Sequence, residues 1–484
     1  MDSKEKEINI KQILEKLKTI YDKYIKEGDL NKALKTISLS ASLQYEINQW
    51  YVDLDIEKKL MPISRDVVDV SSDYGHYVNS DTVLFYDGFG LDLRGLAITY
   101  TRAIAKEGFK LVYVIPQNKK KNIPTILKEL MDYNVVIIEL EGNDILSKIK
   151  KLNSVFEQYK PQTAFFYSGP EDIEGNVVFN AYEGMVTRYH IDLTDHAFWI
   201  GINACDYIIE LREMGASIAI YHRGFEKKQI KRLDALVYIN KSVDDERLPF
   251  DIESEKYIFS GGALYKTLGD KDLLFYRTVR HVLDNYSDIK FLYAGFGDDT
   301  EIKKLIECYP NRVFLIPERR DFFRLIENSL FYLNTYPMFG GMMMRYAAAA
   351  KKLPMTLRHD NDSDGLLFNQ DKLGIEFDNY ESFIEEVDEI LTNSEYKEKK
   401  EELVYGSILN EDTFNRNVKN LIINNETEFS FVDIPYLDTA KFRSEYLVRF
   451  RYPEDLVKLL CSNKSAFLAR YFPLLFMRKI LKRY

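Results

Sequence analysis

Thr82-Val-Leu-Phe-Tyr86, Lys110-Leu-Val-Tyr-Val-Ile-Pro116, Val135-Val-Ile-Ile-Glu-Leu140 and Thr163-Ala-Phe-Phe-Tyr167 are short apolar runs separated by the amphipathic stretches Leu93–Lys106, Ile123–Met131 and Ile145–Gln158. Near-continuous apolar strands joined by helical crossovers belong to a parallel sheet covered on both faces. Further strands are expected at Met185–His190, Tyr207–Glu210 and Ser217–Tyr221. The pattern weakens after Leu236–Ile239, and the polar run from Asn240 to Arg247 reads as an interdomain linker. A second alternation follows: strands at Lys256–Ser260, Lys290–Ala294, Val313–Ile316, Phe331–Thr335 and Pro354–Leu357, with helices at Asp272–Asn285, Glu301–Cys308, Phe322–Asn328 and Met342–Lys351. The expected class is α/β, two doubly wound Rossmann-like domains facing a cleft at their carboxyl edges, where such folds bind ligands.

Outward from this body, Ile8–Trp50 has helical periodicity on both sides of Glu27-Gly28-Asp29 and predicts a helical hairpin. Ile20, Tyr24, Gly28, Ala33 and Ile37 stand where a tetratricopeptide repeat keeps its packing residues, although an unrelated hairpin fits equally well. One repeat cannot bury its own face, so it must dock on the body or on another subunit. The expected layout is a hairpin at 1–60, a first Rossmann-like domain at 75–240, a second at 241–405, and C-terminal helices with a basic tail at 406–484.

Composition narrows the function. A net charge of −10 argues against a nucleic-acid partner, which requires surplus Lys and Arg. The three cysteines, Cys205, Cys308 and Cys461, are widely spaced, so neither a disulfide framework nor a Cys-rich metal site is expected, and a reducing cytoplasm fits. No signal-peptide pattern and no run of about 18 apolar residues occurs, so neither secretion nor a membrane span is expected. Aromatic residues reach 14%, which suits sugar-binding surfaces, though AT-rich coding would give the same bias.

In the second alternation, Asn334-Thr-Tyr-Pro-Met-Phe-Gly-Gly-Met342 carries a strand into a helix through Gly340-Gly341. Free amides at such a helix start favour a diphosphate, and Gly permits close approach; a tight turn would also need Gly for purely steric reasons. Together with Ile258-Phe-Ser-Gly-Gly-Ala-Leu-Tyr-Lys-Thr267, Phe291-Leu-Tyr-Ala-Gly295 and Arg312-Val-Phe-Leu-Ile-Pro-Glu-Arg-Arg-Asp-Phe-Phe323, this stretch resembles the donor domain of glycosyltransferase family 41 over residues 256–357. That family includes O-linked N-acetylglucosamine transferases and bacterial adhesin glucosyltransferases.

The resemblance implies a GT-B fold and a nucleotide-sugar donor, with UDP as the nucleotide and no cofactor or metal. It implies that Lys266 neutralises the donor diphosphate, that Pro317 and Arg319 lie beside the nucleobase, and that Gly340, Gly341 and Met342 meet the phosphates through their backbone. The sequence departs from the family where hydroxyl or His residues and a ribose-binding Asp are usual; it has Met342, Met343, Arg345 and Tyr346. Pro337 and Arg345 replace the glutamates of retaining GT-B families, so inversion is expected.

An inverting transferase needs a base for the acceptor hydroxyl. The segment Thr187-Arg-Tyr-His-Ile-Asp-Leu-Thr-Asp-His-Ala-Phe-Trp199 concentrates ionisable and aromatic residues after a strand, with His196 and Asp195 the first candidates and His190 next. His190 as a core residue is the competing reading. Asp87, Gly88 and Arg94, in Tyr86-Asp-Gly-Phe-Gly-Leu-Asp-Leu-Arg-Gly95, are candidate acceptor contacts; a turn with a capping Asp is the alternative. Arg223 is a further candidate phosphate contact, with ion pairing at a hinge the equal alternative.

After Asp455 the chain has no acid, while Lys458, Lys464, Arg470, Arg478, Lys479, Lys482 and Arg483 accompany Phe467, Leu468, Tyr471, Phe472, Leu474, Leu475, Phe476 and Ile480. This reads as a basic amphipathic segment on an anionic membrane, as a helix packing back over the first domain, or as both. The expectation is a hexosyl- or N-acetylhexosaminyltransferase, peripheral on the cytoplasmic face of the cell membrane, acting on a glycan or lipid-linked oligosaccharide in surface-polysaccharide assembly. A protein O- or N-glycosyltransferase and a non-catalytic GT-B partner subunit are the alternatives. A homo-oligomer or a complex with a partner transferase stays open.

Overall fold

The computed structural model describes residues 3–92, 96–239, 247–359, 365, 367, 370–461 and 465–481. The chain forms two compact units, one of Met1–Glu210, Gly215–Leu233 and Asn415–Tyr484, the other of Leu211–Met214 and Asp234–Phe414.

The first unit is built on β1 (Asn79–Asp87), β2 (Lys110–Pro116), β3 (Val135–Leu140), β4 (Pro161–Tyr167), β5 (Thr187–Ile191), β6 (Tyr207–Glu210) and β7 (Ile230–Arg232). All pair in parallel, in the order β3-β2-β1-β4-β5-β6-β7. Leu84 of β1 stands between Val112 and Ala164, and the strand is buried from Thr82 to Asp87, as an unbroken apolar run requires. The direction of winding reverses between β1 and β4.

Ser217–Tyr221, read above as a strand, lies instead in a helix, Glu213–Tyr221. Its β-branched apolar run is also what a helix buried on several sides carries. Ala216, Ser217, Ile218 and Ala219 are all buried, and the Ser217 hydroxyl donates to the Pro435 carbonyl at 2.8 Å. The sheet is completed by β7, which the sequence pattern did not mark.

The N-terminal helices Ser3–Lys26 and Leu30–Ile47 form the hairpin, with Asp29 capping the second through the Lys32 amide. A third helix, Leu54–Val67, follows and is capped by Asp53. Ile37 joins the core beneath the sheet, whereas Ile20, Tyr24 and Ala33 pack with Leu456, Leu460, Leu468, Phe472 and Leu475 from the C-terminal helices. The hairpin thus buries both faces within its own unit.

The second unit carries β8 (Tyr257–Ala263), β9 (Lys290–Phe296), β10 (Val313–Ile316), β11 (Tyr332–Leu333), β12 (Pro354–Leu357) and β13 (Glu376–Phe377), all parallel, in the order β10-β9-β8-β11-β12-β13. Its winding reverses between β8 and β11. Gly295 is required by close approach, since a Cβ there would stand 1.9 Å from the Gly262 carbonyl oxygen. Among the described residues no helix is long and apolar enough to cross a membrane.

Candidate functional site

In the second unit, the strand order brings the candidate donor residues together. Ligands of open α/β sheets bind where the winding reverses, at the carboxyl ends of the strands. There β8 runs into the turn Leu264–Thr267, which carries Lys266, and β11 runs through Asn334–Phe339 into the helix Gly341–Ala349. Lys266 is tied to this second loop twice: its carbonyl accepts from the Met338 amide at 3.2 Å, and its ammonium donates to the Phe339 carbonyl at 3.1 Å.

Asn334, which the sequence reading passed over, shapes the loop by accepting from the Thr335 amide at 3.0 Å and the Gly340 amide at 3.1 Å. The helical ladder begins with the Met344 amide on the Gly340 carbonyl, and no side chain caps the helix. The amides of Gly341, Met342 and Met343 therefore have no acceptor within the helix, and the positive end of its dipole lies beside the Lys266 ammonium. Such a site can hold a dianionic leaving group.

Pro317 and Arg319 lie on the loop after β10, two strands from β8, or about 10 Å at ordinary strand spacing. Pro317 is exposed. Arg319 is buried, and its guanidinium donates to both carboxylate oxygens of Asp321, at 2.7 and 2.9 Å. Arg345 is likewise buried and donates to Asp234 at 2.6 Å. Tyr346 meets Phe322 edge-on, with ring centroids 4.7 Å apart.

In the first unit, the loop from β5 to β6 holds the candidate acceptor-side cluster. The His196 Nδ1 lies 3.1 Å from an Asp195 carboxylate oxygen; the Asp195 side chain is 6% exposed and that of His196 30%. An imidazole that donates from Nδ1 to a buried carboxylate keeps Nε2 as its basic nitrogen.

The backbone of this loop is fixed from several directions. Arg223 is buried and donates to the Asp192 carboxylate at 3.2 Å and to the carbonyls of Asp195 and Ala197 at 3.3 and 2.6 Å, with its guanidinium 4.5 Å over the Trp199 ring. Asn48, in a left-handed conformation at the end of the second helix, donates to the His196 carbonyl at 2.9 Å and accepts from the Phe198 amide at 3.0 Å. Glu57 accepts from the Gly201 amide at 2.6 Å. Burial raises the Glu57 carboxyl to about 7 despite the amides of Gly201, Ile202 and Asn203. Asp192 is raised by burial as well, against the opposing pull of Arg223.

His190 is buried and stacked on Trp199, with ring centroids 4.3 Å apart. Burial, reinforced by the Arg223 charge, depresses its value to about 3, so it stays neutral in the core. Asp87 ends β1 and is fully enclosed, accepting from the amides of Phe89 and Gly90 at 2.9 and 3.0 Å and from the Tyr113 hydroxyl at 2.7 Å. Burial raises its carboxyl to about 6. It builds the turn at the β1–β4 reversal, where a Cβ on Gly88 would lie 2.5 Å from the Asp172 carboxylate. Arg94 lies outside the described residues. Among the described residues no group of three or more His, Cys, Asp or Glu side chains is arranged to hold a metal ion.

No protein-family model matches the chain, and no curated protein matches it in sequence. Solved structures do match it in shape. A putative UDP-N-acetylglucosamine 2-epimerase from Listeria monocytogenes aligns with a TM-score of 0.51 at 13% identity, covering 73% of this chain and 99% of its own. The O-GlcNAc transferase of Thermobaculum terrenum aligns with a TM-score of 0.50 at 10% identity over 86% of this chain and 78% of its own. S. aureus TarM, solved with fondaparinux, α-GlcNAc-glycerol and UDP, gives 0.50 at 11% identity over 71% of this chain and 100% of its own. The likeness is one of fold, and the chain is an α/β protein of the GT-B type.

Proposed function

We propose that the chain is a glycosyltransferase that moves a hexosyl or N-acetylhexosaminyl group from a UDP-sugar, with inversion and without a metal, to a glycan on a lipid carrier during surface-polysaccharide assembly at the cytoplasmic face of the cell membrane. The observation that carries the reading is the Lys266 ammonium, 3.1 Å from the Phe339 carbonyl beside an uncapped helix start at the reversal of the second sheet. A fixed cation and unpaired amides stabilise charge that develops on a departing diphosphate, the role a metal fills elsewhere. UDP is favoured by its presence in TarM, which shares the fold. A lipid-borne acceptor is favoured by the basic C-terminal segment.

In this mechanism the His196 Nε2 takes the proton of an acceptor hydroxyl while that oxygen bonds to the anomeric carbon. The bond from that carbon to the diphosphate oxygen breaks, and its electron pair leaves on UDP beside Lys266. Asp195 holds the imidazole and stabilises the imidazolium that forms. His190, buried and neutral, is left out of this chemistry.

The test is isothermal calorimetry with UDP and a panel of UDP-sugars, followed by mass spectrometry of the nucleotide products. Micromolar binding of UDP and release of UDP from one sugar nucleotide, raised by lipid-extract acceptor, are expected. Absence of binding by every nucleotide sugar would leave a non-catalytic partner subunit. Conversion of UDP-N-acetylglucosamine to its epimer without acceptor would replace transfer by epimerisation. Labelling of protein in place of lipid would move the acceptor to a polypeptide.

A further inference from the structure

The C-terminal helices divide their apolar side chains between two partners. Leu468, Phe472 and Leu475 are buried, in one core with Leu17, Ile20, Tyr24, Leu43, Leu456 and Leu460. Two polar contacts reinforce this docking: the Tyr24 and Tyr471 hydroxyls are 2.6 Å apart, and the Lys16 ammonium lies 5.0 Å over the Phe472 ring. Packing back on the protein, one of the two readings of this segment, therefore accounts for these residues.

It does not account for the others. Leu474 is 72% exposed, Met477 52%, Ile480 62% and Leu481 61%. Leu474, Met477 and Leu481 follow the i, i+3, i+7 spacing of one helical face, and Ile480 adjoins it. Scattered apolar side chains on a surface need no explanation, but three along one short helix and a fourth at its C-cap form a contiguous patch. The charge carried by this segment itself is of one sign. Residues 465–481 contain Arg470, Arg478 and Lys479 and no acid, in a chain of net charge −10.

We propose that the outer face of Pro473–Leu481 rests on an anionic lipid bilayer, with Leu474, Met477, Ile480 and Leu481 at the boundary between headgroups and acyl chains. Arg470 and Arg478 then face lipid phosphates, while Leu468, Phe472 and Leu475 fasten the helix to the hairpin. The hairpin is the cradle on which this segment packs. A second copy of the protein would offer the same basic rim and repel it, whereas an anionic surface attracts it. This inference takes the membrane placement in the proposed function to a named face and rests on it only there. Its test reads lipid binding, so it and sugar transfer can fail independently.

The full-length protein is floated through a sucrose gradient with vesicles of about 30% phosphatidylglycerol in phosphatidylcholine, and with vesicles of phosphatidylcholine alone. Two variants are compared: Leu474→Ser/Met477→Ser/Leu481→Ser and Arg470→Gln/Arg478→Gln. Because the serines replace exposed side chains, the circular-dichroism melt of the first variant is expected to match that of wild type. Wild type is expected to float with the anionic vesicles, and both variants to lose at least tenfold in partition coefficient. Equal partition of wild type and the serine variant, or absence of wild-type flotation, overturns the proposal. A concentration-dependent dimer in light scattering that the serine variant disperses would do so too, by assigning the face to a second copy.

Discussion

Glu57 offers a direct test of how the candidate acceptor loop is held. Its carboxylate is enclosed, 1% exposed, and accepts from the Gly201 amide at 2.6 Å, with the amides of Ile202 and Asn203 adding to its stabilisation. Burial opposes the charge and the amides favour it; burial prevails, raising the group from 4.5 to about 7. A carboxyl raised in the folded state keeps its proton after the unfolded chain has lost it. Stability therefore falls as pH rises from about 4.5 to about 7 and levels off above that. Between about pH 5.5 and pH 8, linkage assigns this one group a loss of about 2 kcal/mol. Glu57→Gln mimics the protonated form at every pH, keeping one oxygen for Gly201 and turning an N–H group on the neighbouring amides, at a fixed cost of about 1–3 kcal/mol. Both tryptophans, Trp50 and Trp199, lie in the first unit, so urea unfolding followed by tryptophan fluorescence reads that unit. Wild type is expected to be the more stable at pH 5.5, by a margin about 2 kcal/mol smaller at pH 8. A margin that is constant, or that widens towards pH 8, would refute the reasoning and show that the three amides outweigh burial.

Three further outcomes are expected. Lys266→Ala removes a charge-assisted contact worth about 1.5–3 kcal/mol and should weaken UDP about 10- to 150-fold by calorimetry; a change under about threefold takes the amine out of the donor site. His196→Ala should lower the transfer rate by about 10²–10⁴-fold with UDP affinity unchanged, and Asp195→Asn should lower it less; full activity in either variant removes the dyad from the chemistry. Gly295→Ala places a Cβ 1.9 Å from the Gly262 carbonyl oxygen and 2.8 Å from the Tyr293 ring, so β8 and β9 must part. A loss of about 3 kcal/mol is expected, seen as a fall of several degrees in the thermal melt, and a melt within a degree of wild type would show that the strands yield freely.

The two sheets were legible because a strand enclosed on both faces admits only apolar residues, and Val83–Tyr86 and Phe291–Ala294 obey that rule without a break. The same rule misled at Ser217–Tyr221, since a helix enclosed on several sides has no polar face to announce its period. Gly340-Gly341 stood out as a strand-to-helix turn, whereas Lys266 was singled out only by the family resemblance; the structure sets the two on adjoining loops. The contacts that hold the candidate acceptor loop could not be read. Asn48, Glu57 and Arg223 act from 148, 144 and 26 residues along the chain from the atoms they bind. Nothing in the local sequence marks Asn48 or Glu57, because an Asn after a helix is also an ordinary cap and a Glu inside one is also an ordinary surface residue; Arg223 was noticed, but not its partners. Arg319 shows the reverse case: its neighbour Asp321 was in plain view two positions on, yet only burial of both makes their pairing firm.

The order in which the first unit takes up its chain bears on its synthesis. Residues 234–414 emerge from the ribosome and can close their own sheet while Leu17, Ile20 and Leu43 still wait for Leu456, Leu460, Leu468 and Leu475. For the time needed to translate some 200 further codons, at about 5–20 residues per second, the helical pair at the start of the chain presents a greasy strip to the cell. A nascent chain stalled before Glu454 should accordingly be a client for holdase chaperones, whereas one that extends through Leu475 and has folded should not.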